Sequence, residues 1–123
     1  MDQIKPDQLF PEQLLNSLVF SVVITDLEGR FMYVNPLFQY KFAHIAPDLK
    51  KIHFSDTVFA DDIRLCNEAA RECIRHPEKH ITVTVRKAAE EDDYFWTTWE
   101  VSVLKNEQGY GVGIVSIGHD VTS

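Results

Sequence analysis

Residues 24–35 read ITDLEGRFMYVN, and they predict a β-hairpin. Apolar, β-branched or aromatic residues lie on both sides of the tetrapeptide Asp26-Leu27-Glu28-Gly29. An Asp at the first position of a turn and a Gly at the fourth are typical of a type I turn, because the glycine supplies the left-handed backbone that closes a hairpin. The stretch therefore predicts two antiparallel strands joined by a short turn.

The segment before the hairpin predicts a helix. Residues 8–18 (QLFPEQLLNSL) place three leucines on one helical face, namely Leu14, Leu15 and Leu18. Pro11 fits a position in the first turn of such a helix. We therefore divide the chain into an N-terminal amphipathic cap, residues 1–19, and a core domain, residues 20–123.

The segments after the hairpin are first helical and then strand-like. Asn35-Pro36 combines a good N-cap with a first-turn proline, so a short helix begins there. From Asp61 to Arg75 apolar residues recur at helical spacing, and Pro77 follows. Three strands are predicted at residues 81–88, 94–105 and 110–122. This order predicts an α+β domain, a five-stranded antiparallel sheet with short helices and one longer helix packed on one face.

Composition argues against several classes of function. The chain has 12 Lys and Arg against 19 Asp and Glu, a net charge of −7, so we expect neither nucleic-acid binding nor attraction to an anionic membrane. No apolar run reaches the roughly 18–20 residues that span a bilayer, and the N-terminus lacks the layout of a signal peptide. We expect a cytoplasmic protein without membrane insertion. Cys66 and Cys73 lie two helical turns apart, too far for a disulfide, and are expected to be free thiols.

The sequence shows no catalytic motif and no convincing metal site. A nucleophile elbow and a phosphate-binding glycine loop are both missing, so we expect no enzyme activity. His76 and His80 have the spacing of two metal ligands on one helical face, but Pro77 lies between them and breaks the helix. The acidic run at residues 90–93 is interpreted as a solvated loop.

Four stretches resemble the PAS family, the sensory domains of bacterial signalling proteins such as sensor histidine kinases. Residues 14–38 (LLNSLVFSVVITDLEGRFMYVNPLF) are similar to the family's opening helix, hairpin and first core helix. Residues 58–66 (VFADDIRLC) resemble the entry to its long helix, although Ala60-Asp61 replaces the usual His-Pro. Residues 95–122 resemble its last two strands, and they end in Asp120-Val121-Thr122, which is similar to the family's Asp-Ile-Thr motif.

The resemblance implies a fold and a role. Sheet and helices would enclose a small cavity, and the domain would sense a ligand there or pair with another copy of itself. Asp120 and Thr122 would couple the signal to an effector such as a histidine kinase, because the family's output helix starts at this motif.

The resemblance also bears on cofactors. Some PAS domains bind haem through a His on or near the long helix, where this chain has no His before His76. Relatives with cysteinyl-flavin photochemistry carry a Cys in a short helix, and the comparable residues 49–57 (LKKIHFSDT) contain none. We expect neither haem nor a cysteinyl flavin; a non-covalent flavin stays open, and the identity of any cofactor is unknown.

Apolar residues of the predicted helices and strands form a candidate cavity lining. They are expected to face Val22, Ile24 and the last strands, and the set comprises Phe42, Phe54, Phe59, Ile63, Cys66, Ala70 and Trp99. Such a lining suits a small apolar or aromatic ligand. The same residues could equally form a filled core in a pure protein–protein interaction domain, and the sequence leaves both alternatives open.

The two tryptophans predict that both faces of the sheet are covered. By strand alternation Trp99 lies on one face and Trp96 on the other. The core helices cover one face. The other cover is either the N-terminal helix or a second protomer, and we expect a homodimer.

Overall fold

The structure, a computed structural model, describes residues 4–121. Within that range five strands form one antiparallel sheet in the order β2-β1-β5-β4-β3. The strands are β1 (Ser21–Thr25), β2 (Phe31–Val34), β3 (Ile81–Ala88), β4 (Tyr94–Lys105) and β5 (Gly111–Asp120). The α-helices are α1 (Pro6–Leu9), α2 (Glu12–Leu15), α3 (Pro36–Lys41) and α4 (Ile63–Arg75), and short 3-10 helices lie at Phe54–Thr57, Ala60–Asp62 and Glu90–Asp92. The predicted α+β fold is confirmed.

The hairpin turn forms as its chemistry predicts. The Asp26 carboxylate accepts the backbone N–H groups of Glu28 and Arg30 at 2.9 and 3.0 Å. Gly29 has a φ of 91°, which only glycine adopts readily. It also lies so close to His53 that a Cβ at position 29 would meet the ring Nε2 at 2.6 Å. The turn between β4 and β5 repeats the arrangement, with Asn106 accepting in place of the aspartate.

Asn35 connects three parts of the chain. Its side-chain oxygen caps α3 by accepting from Phe38 N–H, and it also accepts from Val22 N–H in β1. Its amide group donates to the carbonyl oxygens of Leu15 and Phe20. The side chain is fully buried with all these bonds made, so one residue holds the N-terminal segment, the first strand and α3 together.

The N-terminal helix differs from its prediction. Residues 8–18 do not form one helix, because Phe10 is extended and separates α1 from α2. The physical reason is Pro11, whose ring disfavours helical backbone in the residue before it. Leu14 and Leu15 are partly buried, whereas Leu18 lies beyond α2 and is 89% exposed.

Both faces of β1 are covered. Val23 belongs to the apolar core beneath the helices. Val22 and Ile24 point to the opposite face and are also fully buried, with α2 packing against this strand. The expectation that Val22 and Ile24 face the core helices is therefore wrong, because the residue between them, Val23, occupies that face of β1. Helix α4 packs on β3 and β4, and α3 packs on β1. None of the helices within residues 4–121 is long and apolar enough to cross a membrane.

Candidate functional site: a cavity with a buried lysine

A cavity of about 150 Å³ lies between the inner face of the sheet, α4 and the β1–β2 turn. Four of the predicted lining residues surround it, namely Phe54, Cys66, Ala70 and Trp99. Further walls come from apolar side chains of the strands, Val23, Val83, Val85, Val101 and Ile114, and from the hydroxyls of Thr25 and Ser116. The cavity opens to the surface between the turn and the helix, where Leu27 and Ile74 are exposed.

Three predicted lining residues lie elsewhere. Phe42 is fully buried in the core, with its ring centroid 4.4 Å from that of Phe38, and does not reach the cavity. Phe59 packs against Tyr94, with ring centroids 5.0 Å apart. Ile63 is the first residue of α4 and is only partly buried. The correction has a simple cause: the sequence pattern shows which residues are apolar and inward-facing, but not how far each of them lies from the cavity.

Sequence reasoning missed the most unusual lining residue, Lys87. Lys87 lies near the end of β3 and lines the cavity, and only 7% of the residue is exposed to solvent. Its ammonium nitrogen lies 4.9 Å from the ring centroid of Trp99, and within 6 Å of those of Phe38 and Phe42. It donates one hydrogen bond, of 3.1 Å, to the Thr57 hydroxyl.

Lys87 has no carboxylate partner among the ion pairs of residues 4–121. Burial lowers the pKa of Lys87 from 10.5 to about 8, since the charged form loses its hydration. Burial likewise raises the pKa of the neighbouring Cys66 thiol, although the lysine charge opposes this. The nearest buried carboxylate, Asp62, is already engaged by Arg86, whose hydrogen bonds lower the pKa of Asp62.

A signal for Lys87 was present in the sequence. Strand alternation places Lys87 on the same face as Ile81, Val83 and Val85, which is the face that packs against α4. A lysine that continues an inward-facing apolar row is unusual, because lysine is rarely buried without a partner. The pattern could therefore have identified the residue, but not its surroundings.

Trp99 forms a fixed wall of the cavity. Its indole N–H donates to the Thr97 hydroxyl at 2.7 Å, and that hydroxyl donates to the Val85 carbonyl at 2.9 Å. The ring lies over Gly118 of β5, its direct partner in the sheet, where a Cβ would overlap the indole. Glycine is required here because of this close approach.

His53 closes the end of the cavity beside the turn. Its Nε2 lies 2.9 Å from the Glu28 carbonyl oxygen, and its Nδ1 lies 2.7 Å from the Ser55 hydroxyl. Because a carbonyl can only accept, Nε2 carries a proton, and Nδ1 accepts from the Ser55 backbone N–H. Both ring nitrogens are thus hydrogen-bonded, and the ring ties the hairpin turn to the 3-10 helix at Phe54–Thr57.

The residues predicted to couple the signal are Asp120 and Thr122. Asp120 ends β5, and its carboxylate pairs with the Lys41 ammonium at the end of α3 at 2.6 Å. Asp120 is also the sheet partner of Thr97, whose hydroxyl accepts the hydrogen bond from the Trp99 indole. Thr122 lies outside the described residues.

Both cysteines are free thiols, as predicted. Cys73 is buried and its thiol contacts the Val101 carbonyl at 3.2 Å. Within residues 4–121, no group of three His, Cys, Asp or Glu side chains comes together as a metal site.

A small α+β domain whose sheet and helices enclose such a cavity offers a concave, mostly apolar site for a small molecule. The family model described as PAS fold matches residues 9–121, and the chain belongs to the PAS family. A search of curated protein sequences found no match.

Solved structures show the same fold at low identity. A PAS domain from Colwellia psychrerythraea has a TM-score of 0.78 and 14% identity, over 96% of this chain and 98% of that one. The PAS-B domain of Drosophila melanogaster Cycle with bound ethylene glycol has a TM-score of 0.70 and 14% identity, over 82% of this chain and 99% of that one. A light-oxygen-voltage domain studied with a flavin analogue has a TM-score of 0.65 and 14% identity, over 84% of this chain and 78% of that one.

Proposed function

We propose that this PAS domain is a sensory module that binds a small, largely apolar or aromatic ligand in its cavity. The observation that carries the proposal is the cavity of about 150 Å³, apolar-walled but containing a buried charge. A cavity of this volume is large enough for a benzene-sized guest. A completely filled core would contain no such cavity. Because protein interiors rarely contain a void of this size, the cavity favours a bound guest.

The proposed signal path runs from the cavity wall to the end of the sheet. A ligand touching Trp99 would act on Thr97, which the indole N–H contacts, and Thr97 is paired across the sheet with Asp120. Asp120 in turn holds Lys41 of α3. Displacing the indole would therefore change the strand end at which Asp120, together with Thr122, couples the domain to an effector.

We place this module in a longer bacterial signalling protein with an effector such as a histidine kinase, and in the cytoplasm. The family supports a regulatory rather than a catalytic role, and the two free thiols suit a reducing compartment. The hydrogen bonds of His53 and Asp62 support binding rather than catalysis, since both side chains are engaged within the fold.

A second proposed function, homodimerisation, is favoured by the link between α2 and β1. Leu18, Val19 and Phe20 are consecutive and are 89%, 60% and 40% exposed. Exposed apolar groups in a row are typical of an interaction surface. A second copy of this chain is the proposed partner, because two identical apolar segments can cover each other around a two-fold axis.

Native mass spectrometry of the freshly purified chain tests both proposals. Extra mass on the folded form, absent after denaturation, would identify a bound guest, and the same spectrum separates monomer from dimer. Ala70→Leu should remove the guest by filling the cavity, whereas Arg71→Leu places the same side chain on the exposed face of α4 and should keep it. An empty cavity in wild-type protein under all purification conditions would favour the pure interaction domain.

A further inference from the structure

We propose that the ligand is a small monocarboxylic acid with a compact apolar or aromatic body, and that its carboxylate pairs with the Lys87 ammonium. This inference rests on the proposed function of the cavity and deepens it. It identifies the chemical class of the ligand from the residues that would contact it.

The first argument is the unused hydrogen-bonding capacity of Lys87. An ammonium group has three N–H donors and no acceptor. Within residues 4–121 its nitrogen meets one hydrogen-bond acceptor, the Thr57 hydroxyl. That hydroxyl is itself fixed, because its own proton is donated to the Phe54 carbonyl at 2.8 Å. Two donors of a buried cation are therefore left for a ligand.

The second argument is the sign of the charge. Three aromatic faces, those of Trp99, Phe38 and Phe42, surround the ammonium and favour a cation there. They do not replace an anion, because a buried charge is normally paired. A carboxylate entering the cavity would supply that pair, and a charge-assisted hydrogen bond to a buried group is among the strong ones.

The third argument restricts the ligand to a single charge. Beyond Lys87 most of the lining side chains are apolar, chiefly valine, isoleucine, leucine, phenylalanine and tryptophan, and they suit an apolar body. The charged groups at the open end are both acidic, Asp26 and Glu28. A second carboxylate reaching outward would be repelled by them, so a dicarboxylic acid fits less well than a monocarboxylic one.

The fourth argument is size. The volume of about 150 Å³ matches that of an engineered protein cavity that holds benzene. A benzoate-sized acid can place its ring against Trp99 and Val101 while its carboxylate reaches the lysine. The hydroxyls of Thr25 and Ser116 lie on the same lining and offer polar contacts to a substituted ring.

The test is an NMR titration of the whole chain with benzoate and with benzamide, its neutral counterpart. The two indole N–H signals report the site, because Trp99 lines the cavity and Trp96 lies exposed on the opposite face. We expect benzoate to shift the Trp99 signal saturably, to leave Trp96 unchanged, and to bind about tenfold or more tightly than benzamide.

Variants separate the inference from the proposed function. Lys87→Met should abolish the preference for benzoate, and Thr57→Val, which removes the acceptor that positions the ammonium, should weaken it. Lys105→Met changes the net charge equally at an exposed position and should leave the preference intact.

Each outcome decides between these statements. Equal binding of benzoate and benzamide, or a preference that survives Lys87→Met, overturns the carboxylate assignment; the cavity function still stands if Ala70→Leu blocks that binding. Failure of both probes to shift Trp99, together with no bound mass in wild-type protein, overturns the carboxylate assignment and the cavity function alike.

Discussion

Lys87→Met is expected to make the ligand-free domain more stable. The substitution removes a buried charge, keeps most of the side-chain volume and leaves the Thr57 hydroxyl bonded to Phe54. A pKa lowered from 10.5 to about 8 means that the folded state disfavours the ammonium by about 3 kcal/mol relative to the unfolded chain. The lost hydrogen bond to Thr57 offsets about 1 kcal/mol of this. The net expectation at pH 7 is a gain of about 2 kcal/mol in the free energy of unfolding.

The pH dependence distinguishes this prediction from an effect of packing, because a stability difference caused by packing alone would not change with pH. Between pH 8 and 10.5 the unfolded lysine holds a proton that the folded lysine has lost, so the stability of wild-type protein rises with pH in this window. The Met variant lacks this contribution, so the difference from wild type should change by about 3 kcal/mol between pH 7 and pH 11, from a gain of about 2 kcal/mol to a loss of about 1 kcal/mol. Asp26, Glu28 and His53 on the lining are present in both proteins. Cys66 is present in both as well, but the lysine charge opposes the raising of its pKa, so its titration contributes to the difference between the two proteins.

Urea unfolding followed by tryptophan fluorescence measures the effect, at several values of pH from 7 to 11. Lys105→Met is the matched control, because it removes an exposed lysine. Destabilisation by Lys87→Met at pH 7, or a difference from wild type that does not change with pH, would refute the reasoning. Either result would mean that Lys87 is not a buried, unpaired cation in the ligand-free domain.

Three further predictions concern the wall, the helix anchor and the output end. Gly118→Ala should lower the free energy of unfolding by about 1–3 kcal/mol, because its Cβ overlaps the Trp99 indole, and should also shift the indole N–H signal; an unchanged spectrum with unchanged stability would show that the ring does not lie against position 118. Asp62→Asn should destabilise the domain at neutral pH by weakening its ion pair with Arg86. Because the pKa of Asp62 is lowered in the folded state, the ion pair stabilises the domain above the unfolded-state pKa of this carboxylate and is lost as pH falls through its folded-state pKa. The free energies of unfolding of the two proteins, measured during an acid titration, should therefore differ only toward neutral pH. Asp120→Ala removes a half-exposed ion pair and should leave thermal unfolding nearly unchanged while altering output in the longer protein, measured as effector activity; unaltered output would remove Asp120 from the proposed path.

Features that depend on a few neighbouring residues could be predicted from the sequence. The Asp26–Gly29 turn, the Asn35 cap and the end of α4 at Arg75 all follow from local chemistry, and the structure has them where they were expected. The order of these elements predicted the sheet, and the order together with the resemblance of four sequence stretches indicated the family. The prediction of a single N-terminal helix was wrong although its signal was local, because Pro11 disfavours helical backbone at Phe10.

The cavity depended on contacts between distant parts of the chain. Phe54, Cys66, Ala70 and Trp99 line it, yet the equally apolar Phe42 and Phe59 do not, since that depends on where α3 and α4 lie over the sheet. Lys87 shows most clearly the difference between what local sequence determines and what distant contacts determine. The sequence by itself determined that it faces inward, because side chains alternate along a strand. Only the tertiary structure decided that it lies buried beside three aromatic rings with one hydroxyl partner among residues 4–121, because those groups come from segments up to about 50 residues away.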